Sequence, residues 1–507
     1  MSLKEPILIK NKSSGKKTIP APTNMRAGRR LTACIRVTTI QYAFAMKPSL
    51  RMILLIFLLC GFPAHGSSAQ PNILLIYTDD QGSVDAHCYG AKDLATPNMD
   101  RLAERGVRFT QMLAPAAICS ASRTGLLSGR IPMRSGVPGN VSSARGGRGI
   151  EPHIYLLPEL MRDAGYRTHH VGKWHLGYTD DTMPNGQGFD TSFGHMGGCI
   201  DNFSHFFYWA GPNRHDLWRD GKEVWHDGTG FGELMVAEAK AVIDTKDPRP
   251  FFIYWAINWP HYPLQGFDQW RKHYAKQGLA HPRDKYAAFV SSMDELIGEV
   301  VKHLEEAGKT EDTVIIVQSD HGHSVEERTF GGGGNSGPYR GHKGNFFEGG
   351  LRVPSIVSWP GTLPEGEVRD QFVTGCDWFP TLAKWAGARI PTPLKLDGRS
   401  IDRVIRSSES PSPHESFFWC SDFSRNKGAP WAVRKGEWKL LLNPRDNVQK
   451  LPPGSGTYLV NLKDDVGEQR NLARKQPDKL KELQTLAEKY QQSILPDFQA
   501  AKVRKED

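Results

Sequence analysis

Four apolar runs of this sequence end in charged or imidazole side chains, and this pattern restricts the fold more than any other. The runs lie in "NILLIYTDDQG", "GYRTHHVGKWHLG", "PFFIYWAINWPHYP" and "TVIIVQSDHG". Such runs suit short strands buried on both faces. Stretches with helical spacing lie between them, among them "TPNMDRLAERGVRF" and "KYAAFVSSMDELIGEVVKHLEEAGK". This alternation predicts an α/β protein whose large, mainly parallel sheet is flanked by helices.

The polar residues that follow these runs form a candidate site. Open α/β sheets bind ligands outside the carboxyl ends of their strands, so side chains at these ends are expected to converge on one cleft. The residues are Asp79, Asp80, Lys173, His175, His261, Asp320 and His321.

The texture of the sequence changes after about residue 405. Short strand-like runs with turns between them occur in "HESFFWCSD", "WAVRKGEWKLLLN" and "GTYLVNLK", and the helical segment "PDKLKELQTLAEKYQQSI" follows. We therefore predict a main domain over residues 70–405. Residues 406–507 are predicted to form a smaller C-terminal α+β subdomain that carries an antiparallel sheet.

The N-terminal segment explains the basic net charge. Residues 1–50 hold ten Lys and Arg and one acid, whereas the whole chain has a net charge of +9, so the remainder is nearly neutral and gives no argument for nucleic-acid binding. Lys47 and Arg51 precede an apolar run and small residues at 67–69, which predicts a signal peptide over residues 46–69 and an exported protein, with an uncleaved anchor as the alternative. Residues 1–45 are interpreted as a non-native extension. After cleavage no stable membrane span would remain.

Cysteine usage leaves several roles open for Cys119. Cleavage after Ala69 would leave five cysteines, an odd number with wide spacing and no CxxC motif, which disfavours a zinc knuckle or a redox dithiol. Cys119 lies in "ICSASRTGLLSGR", at the predicted start of a helix. It could be structural, paired in a disulfide, a metal ligand or reactive. At an exposed helix start, its replacement by alanine is expected to leave the fold intact.

Acidic residues at two strand ends predict a cation site. Asp79, Asp80 and Asp320 would crowd three carboxylates into one cleft, which a divalent cation would stabilise. An oxygen-rich site favours Ca²⁺ or Mg²⁺, and His321 would be an unusual fourth ligand. The alternative is that these acids are ordinary turn and cap residues.

Basic residues near the same ends predict an anionic substrate. Each alone could be a surface residue, but together they favour an anion. Arg123 follows Cys119 by four residues, so the two share a helix face, and its guanidinium can donate two parallel hydrogen bonds to an oxyanion. The other basic residues are Lys173, His175, His261 and Lys343, the last at the end of a Gly-rich loop.

Several motifs, in this order along residues 71–472, carry a resemblance to a known family. They include "NILLIYTDDQG", "CSASRTGLLSGR", "GYRTHHVGKWHLG", "WPHYPL", "VIIVQSDHG", "GHKGNFFEGGLRVP" and "AVRKGEWKLLLN". The sequence resembles the formylglycine-dependent, arylsulfatase-like sulfatases of the alkaline phosphatase superfamily. Two positions depart from the family pattern: Ala121 replaces the more common Pro, and His321 replaces the more common Asn.

The resemblance implies a sulfuric ester hydrolase with residues 70–405 as its catalytic domain. Cys119 would be oxidised to formylglycine by a maturase, and this nucleophile would remove sulfate from a small molecule or glycan. The implied ligands of Ca²⁺, with Mg²⁺ less expected, are Asp79, Asp80, Asp320, His321 and the modified residue 119. The resemblance further implies that Arg123 and Lys173 hold the hydrated aldehyde and the sulfate. His175 would assist the return of the nucleophile to its aldehyde form. His261 and Lys343 would bind sulfate and help to protonate the leaving alcohol.

Alternatives remain for both activity and substrate. A phosphodiesterase or phosphonate monoester hydrolase would use a similar cleft, and a sulfatase-like protein without turnover could bind sulfated glycans. The stretch "GHMGGCIDNFSHFFYWAGPNRHDLW" is rich in aromatic residues and histidine. It predicts either a sugar-binding rim with Asp201, His205 and Trp209, or a packed surface subdomain. The rim favours a sulfated carbohydrate.

Overall fold

A computed structural model of the protein describes residues 70–209, 212–446, 448–451 and 454–503. The predicted extension over residues 1–45 and the predicted signal peptide over 46–69 lie outside the described residues. From Gln70 onward the chain forms one compact unit. The domain boundary near residue 405 stays a prediction.

Ten strands form a mixed, mainly parallel central sheet, as the sequence predicted. The strands of the described chain are β1 Asn72–Thr78, β2 Gly106–Phe109, β3 Met112–Leu113, β4 Arg167–Lys173, β5 Thr191–His195, β6 Phe206–Phe207, β7 Arg214–His215, β8 Trp218–Arg219, β9 Lys222–Glu223, β10 Phe251–Ala256, β11 Thr313–Ser319, β12 Ser355–Ser358, β13 Glu367–Arg369, β14 Val373–Thr374, β15 Ser416–Cys420, β16 Trp431–Lys435, β17 Trp438–Leu442 and β18 Thr457–Asn461. The order in the central sheet is β13-β2-β12-β11-β1-β10-β4-β5-β8-β9. Strands β12 and β8 run against the others.

Helices cover both faces of this sheet. They are α1 Pro97–Glu104, α2 Cys119–Ser128, α3 Leu157–Asp163, α4 Phe231–Asp244, α5 Asp268–Gln277, α6 Arg283–Glu306, α7 Glu348–Leu351, α8 Trp378–Trp385, α9 Asp402–Arg406 and α10 Pro477–Lys502. Along β1, Ile73 and Leu75 pack into the core beneath α2, α3 and α8, whereas Leu74 and Ile76 pack into the core beneath α1, α4 and α6. Covering both faces explains the uninterrupted apolar run. Among the described helices, none combines the length and apolar character needed to cross a bilayer.

The register of the sheet brings the polar strand ends together. Strands β11, β1, β10 and β4 are parallel neighbours. Thr78 pairs with Ser319, so Asp79 and Asp320 leave the sheet side by side. The predicted convergence on one edge of the sheet is therefore confirmed.

A separate four-stranded antiparallel sheet, in the order β15-β16-β17-β18, follows in the C-terminal part, as predicted. Helix α10 covers it with Leu483, Ile494 and Phe498. Phe347, next to α7, packs into the same core, so the small sheet shares a core with a segment that flanks the candidate site.

A buried ion cluster joins the small sheet to α7. Lys439 Nζ on β17 lies 2.9 Å from Glu348 Oε1 and 3.0 Å from Glu468 Oε1, and all three side chains are inaccessible to solvent. Burial raises the pKa of Glu468 to about 7 even beside this ammonium. Removing Lys439 would therefore leave buried carboxylates with too little compensating charge.

Replacing Lys439 by methionine is expected to lower the free energy of unfolding by about 3–5 kcal/mol, measured by urea denaturation. The loss should be larger at pH 8 than at pH 5. Without the Lys439 ammonium, the folded-state pKa values of Glu348 and Glu468 rise, and a carboxyl pKa raised above its unfolded value makes the free energy of unfolding fall as pH rises between the two values. The matched control is Lys435→Met, an exposed lysine on the neighbouring strand β16, which should change stability little. Equal losses in both variants would contradict the prediction.

Candidate active site

Cys119 is the first residue of α2 and lies at the centre of the polar cluster. Its Sγ is 3.3 Å from His321 Nε2 and 3.8 Å from Asp79 Oδ1. Burial would raise the pKa of the thiol, but Lys173 and Lys343 outweigh it and lower the pKa to about 6. The expectation of an exposed helix start is wrong: Cys119 is 2% exposed, because α2 is buried along its whole length. No disulfide forms among the described residues.

Three carboxylates surround the thiol. Asp79, Asp80 and Asp320 are all buried, and the backbone N–H of Asp80 donates to Asp320 Oδ1 at 3.2 Å. Burial raises the pKa of Asp80 to about 8 and that of Asp320 to about 7. Asp79 differs, since Lys173 and further cations outweigh its burial and hold its pKa well below the usual range. Without further positive charge, the ionised cluster is costly.

Three buried cations pair with these acids. Lys173 Nζ donates to Asp79 Oδ2 at 2.5 Å, Arg123 Nη2 to Asp320 Oδ2 at 3.1 Å, and Lys343 Nζ to Asp80 Oδ2 at 3.0 Å. The neighbouring carboxylates raise the pKa of both lysines against the effect of burial, so the two ammonium groups stay charged. The sequence-predicted anion-binding groups therefore lie directly against the predicted cation ligands.

Two histidines complete the wall. His261 Nδ1 lies 2.9 Å from the backbone oxygen of Tyr262, and its Nε2 lies 3.7 Å from Asp80 Oδ2. Burial lowers the pKa of His261 and of His175. His175 has a left-handed backbone (φ 54°), and its Nδ1 has no hydrogen-bond partner within the described part of the chain. A non-glycine residue in this conformation costs energy and is typical of functional sites.

The arrangement fits a divalent cation. The ligand atoms of Asp79, Cys119, Asp320 and His321 lie within 4.8 Å of one another, as do those of Asp79, Asp80, Cys119 and His261. Asp80 Oδ1 is buried and accepts no hydrogen bond from the described residues. Lys343 Nζ lies 3.0 Å from Oδ1 but donates to Oδ2, and a buried carboxylate oxygen without a hydrogen bond, beside two further carboxylates, is an environment that a hard cation would satisfy.

A cavity of about 360 Å³ opens above Cys119. His175, His261 and Lys343 line it together with the thiol. Residues that the sequence did not single out also line it, namely Asn140, Ser143, Arg214, Tyr262 and Glu326. Except for Arg214 in the two-residue strand β7, these residues lie in irregular loops, where no hydrophobic period marks them. Only Glu326 lies next to a segment that the sequence marked, the Gly-rich loop.

The three predicted substrate residues have different surroundings. Trp209 lines the cavity and stacks on Tyr262, with 5.5 Å between the ring centroids. Asp201 does not line it; its carboxylate accepts from the Ser204 N–H at 2.9 Å and from Gln265 Nε2 at 2.7 Å, which holds a turn. His205 is completely buried and also does not line it. Substrate contact by these residues stays a prediction.

Comparison with known proteins decides the family. Residues 71–388, more than half of the chain, match the family model described as Sulfatase. The chain belongs to the sulfatase family. Residues 341–493 further match the model described as N-sulphoglucosamine sulphohydrolase, C-terminal.

Individual sulfatases cover most of this chain. Mouse arylsulfatase J is 31% identical over 400 residues, which are 77% of this chain and 65% of the mouse protein. Rat N-acetylgalactosamine-6-sulfatase is 34% identical over 376 residues, 68% of this chain and 69% of the rat protein. The chain thus spans about two thirds of the length of these relatives. The crystal structure of Ps i-CgsB in complex with k-i-k-neocarrahexaose is 28% identical, with a TM-score of 0.73 over 83% of this chain and 92% of the other.

Ala121 occupies a position where sulfatases more commonly have proline. The helix can accommodate either residue at this position. Ala121 is the third residue of α2, inside the first turn. Backbone N–H groups in a first turn have no partner within the helix, so alanine and proline are both compatible with it. Ala121 is therefore consistent with an unaltered position of Cys119.

Proposed function

We propose that the protein is a sulfuric ester hydrolase that removes sulfate from a sulfated carbohydrate, with formylglycine made from Cys119 as nucleophile and Ca²⁺ as cation. The observation that carries the proposal is the position of Cys119 in the cavity, in contact with the acidic cluster and near the basic cluster, whose Lys173 and Lys343 lower the pKa of its thiol. Asp79 links the two clusters, since it lies 3.8 Å from the thiol and 2.5 Å from Lys173. This is the environment that the nucleophile of an anionic ester hydrolase requires.

The cation would be held by the side chains whose ligand atoms surround Cys119. When bound, it would neutralise the carboxylates and draw charge from the sulfuryl oxygens. The residues are Asp79, Asp80, Asp320, His321 and the modified residue 119. Ca²⁺ is favoured over Mg²⁺ because Ca²⁺ accepts an irregular ligand geometry more readily.

The remaining side chains stabilise negative charge, accept a proton or donate a proton. A hydrated formylglycine supplies two hydroxyls, one to attack sulfur and one whose deprotonation releases sulfate. Lys173 and Arg123 stabilise the negative charge that spreads over the sulfuryl oxygens. His175, with an unpaired Nδ1, accepts the proton of the second hydroxyl. His261 and Lys343 bind sulfate and help to protonate the leaving oxygen. The negative charge of bound sulfate would raise the lowered pKa of His261, as a proton donor requires.

Replacing His261 by alanine is expected to slow poor leaving groups selectively. Turnover of a sugar sulfate, an alkyl ester, should fall about 10²- to 10⁴-fold, because an alkoxide needs a proton as it leaves. Turnover of 4-nitrophenyl sulfate should fall much less, because its phenolate leaves unassisted. The measurement is kcat for both esters. His273→Ala, an exposed histidine on α5, is the control, and equal losses for the two esters would refute a proton-donating role.

Trp209 supports a carbohydrate substrate, because an aromatic ring at a cavity rim can stack on a sugar ring. The Arg328 guanidinium, 3.2 Å from the ring centroid, would have to leave that face when a sugar binds. Trp209→Ala is expected to raise KM for a sulfated oligosaccharide about tenfold and to leave kcat nearly unchanged. Phe203→Ala is the matched control: this aromatic residue lies in the same segment, is exposed and does not line the cavity. An unchanged KM for Trp209→Ala would remove the sugar-stacking role. The names of rat N-acetylgalactosamine-6-sulfatase and of the Ps i-CgsB complex support the same substrate class.

The decisive experiment tests modification and activity on one preparation. Protein made together with a formylglycine-generating maturase is digested with trypsin, and the peptide containing residue 119 is weighed by mass spectrometry. Conversion to formylglycine, with cleavage of 4-nitrophenyl sulfate exceeding cleavage of the matching phosphate esters, is expected. Dominant phosphodiesterase activity would make the protein a phosphate ester hydrolase, and glycan binding without turnover would make it a binding protein. Export through the predicted signal peptide, residues 46–69, is part of the same proposal.

A further inference from the structure

A second cluster of metal-ligand side chains lies beside the active-site rim. Strands β6 and β7 pair in an antiparallel two-stranded sheet. His205 comes directly before β6, His215 ends β7, and Asp227 lies in the loop that follows β9. One ligand atom from each of the three lies within 4.8 Å of the other two.

The two imidazoles are each oriented by a hydrogen bond at one nitrogen and unpaired at the other. His205 Nε2 is 3.1 Å from the Thr229 carbonyl oxygen, and His215 Nδ1 is 3.0 Å from Glu223 Oε1. The remaining nitrogens, His205 Nδ1 and His215 Nε2, have no partner among the described residues. An imidazole that donates to a carbonyl or carboxylate, and so keeps its other nitrogen free, is the typical state of a metal-binding histidine.

Burial and stacking hold these rings in place. His205 is 0% and His215 3% exposed. The indole of Trp225 stacks on His215 at 3.7 Å with 7° between the planes, and the ring of Phe231 lies edge-on to His205. Two buried, unpaired nitrogens on fixed rings are costly unless something binds them.

The types of ligand atom in this cluster indicate which metal it would bind. Two imidazoles and one carboxylate suit Zn²⁺, whereas Ca²⁺ and Mg²⁺ prefer oxygen. Two ligand atoms that are about 2.0–2.2 Å from one Zn²⁺ ion are at most about 4.4 Å apart, so any approach that binding requires from atoms already within 4.8 Å of one another is small. Asp227 is exposed on its loop, so its carboxylate is free to make that approach, and water can fill a fourth position. We propose that His205, His215 and Asp227 bind a Zn²⁺ ion at a site separate from the catalytic cation.

Such a site would fix part of the active-site rim. Phe207, Trp209 and Arg214 all lie between the two histidines in sequence and line the cavity above Cys119. A zinc ion would connect the β6–β7 strand pair to the loop that carries Asp227. The role inferred for the ion is therefore structural, and it does not depend on which ester the cavity accepts.

The test is zinc binding by the full chain. Protein is titrated with Zn²⁺ in excess Ca²⁺, desalted, and its zinc content is measured by inductively coupled plasma mass spectrometry. One Zn²⁺ per chain is expected in the wild type, with two nitrogen ligands at about 2.0 Å in the X-ray absorption spectrum. Glu223→Gln, which weakens the hydrogen bond that orients His215, should reduce affinity about 10- to 100-fold, and His215→Gln and Asp227→Asn should reduce it further.

Two controls separate this site from the catalytic one. His226→Gln replaces a histidine next to Asp227 that is not in the cluster, and it should leave zinc binding unchanged. Asp80→Asn, in the catalytic cluster, should also leave it unchanged. Asp227 is exposed, so Asp227→Asn should fold normally, which its melting temperature will verify. The proposal is overturned if the wild type binds no zinc, or if zinc is retained in Asp227→Asn and His215→Gln but lost in Asp80→Asn.

Discussion

Replacing Cys119 by alanine is expected to lower kcat for every sulfate ester by roughly five orders of magnitude. Lys173 and Lys343 lower the pKa of this thiol, whereas burial raises the pKa of Cys199, the other thiol that lines the cavity among the described residues. Losses of this size are typical when a covalent nucleophile is removed and only binding and electrostatic stabilisation remain. Steady-state assays with 4-nitrophenyl sulfate, together with the mass of the peptide containing residue 119, provide the measurement.

The fold of this variant should survive with a small penalty. Cys119 is buried, so removing its sulfur leaves a small void that costs about 1 kcal/mol. Cys88→Ala is the matched control, since Cys88 is half-buried, lies outside the cavity and should be dispensable for turnover. Substantial activity in Cys119→Ala would overturn the assignment of the nucleophile. Loss of activity in both variants would indicate a structural cause.

Asp80→Asn is expected to reduce kcat/KM by about three orders of magnitude and to reduce the bound calcium. Asparagine accepts the left-handed backbone at this position (φ 65°), so the substitution removes charge without straining the turn. It takes away one carboxylate ligand and the counter-charge of Lys343, whose Nζ lies 3.0 Å from both carboxylate oxygens of Asp80. A catalytic cation supplies several kcal/mol, and about 4 kcal/mol corresponds to that loss in rate.

Calcium content per chain and activity after chelation give the direct readout for Asp80→Asn. The control is Asp294→Asn, an equally buried carboxylate that caps α1 by accepting the N–H groups of Asn98 and Met99. It should lower the melting temperature and leave the calcium content unchanged. Wild-type activity in Asp80→Asn, insensitive to chelation, would exclude a catalytic cation at this cluster.

The sequence alone predicted the central sheet and the acidic and basic groups at its strand ends, because a strand buried on both faces must be apolar until it ends. The transition from apolar to polar therefore marked Asp79 and Asp320 at neighbouring strand ends. Parallel pairing then dictated their proximity. The antiparallel C-terminal sheet was recognisable from the same kind of local signal, namely short apolar strands separated by turns.

The rim of the cavity was much less predictable, because its residues lie on irregular loops and on two-residue strands that are too short to show a period. Trp209 lines the cavity as expected, but His205, only four residues earlier, points into a buried cluster with His215. No period in the sequence distinguishes the two environments. The burial of Cys119 was also missed, since a helix of small and polar residues resembles a surface helix until the segments that cover it are known.

The burial of Cys119 has a consequence for how active enzyme is produced. A thiol that is 2% exposed within a fully buried helix is out of reach of another protein's active site. If Cys119 is converted to formylglycine as proposed, the conversion has to take place before the chain has folded, in competition with folding. Molecules that fold first would stay as stable, inactive cysteine forms. The specific activity of a preparation would then depend on the rate of Cys119 oxidation relative to the rate of folding. Adding the maturase to folded protein should not increase the specific activity.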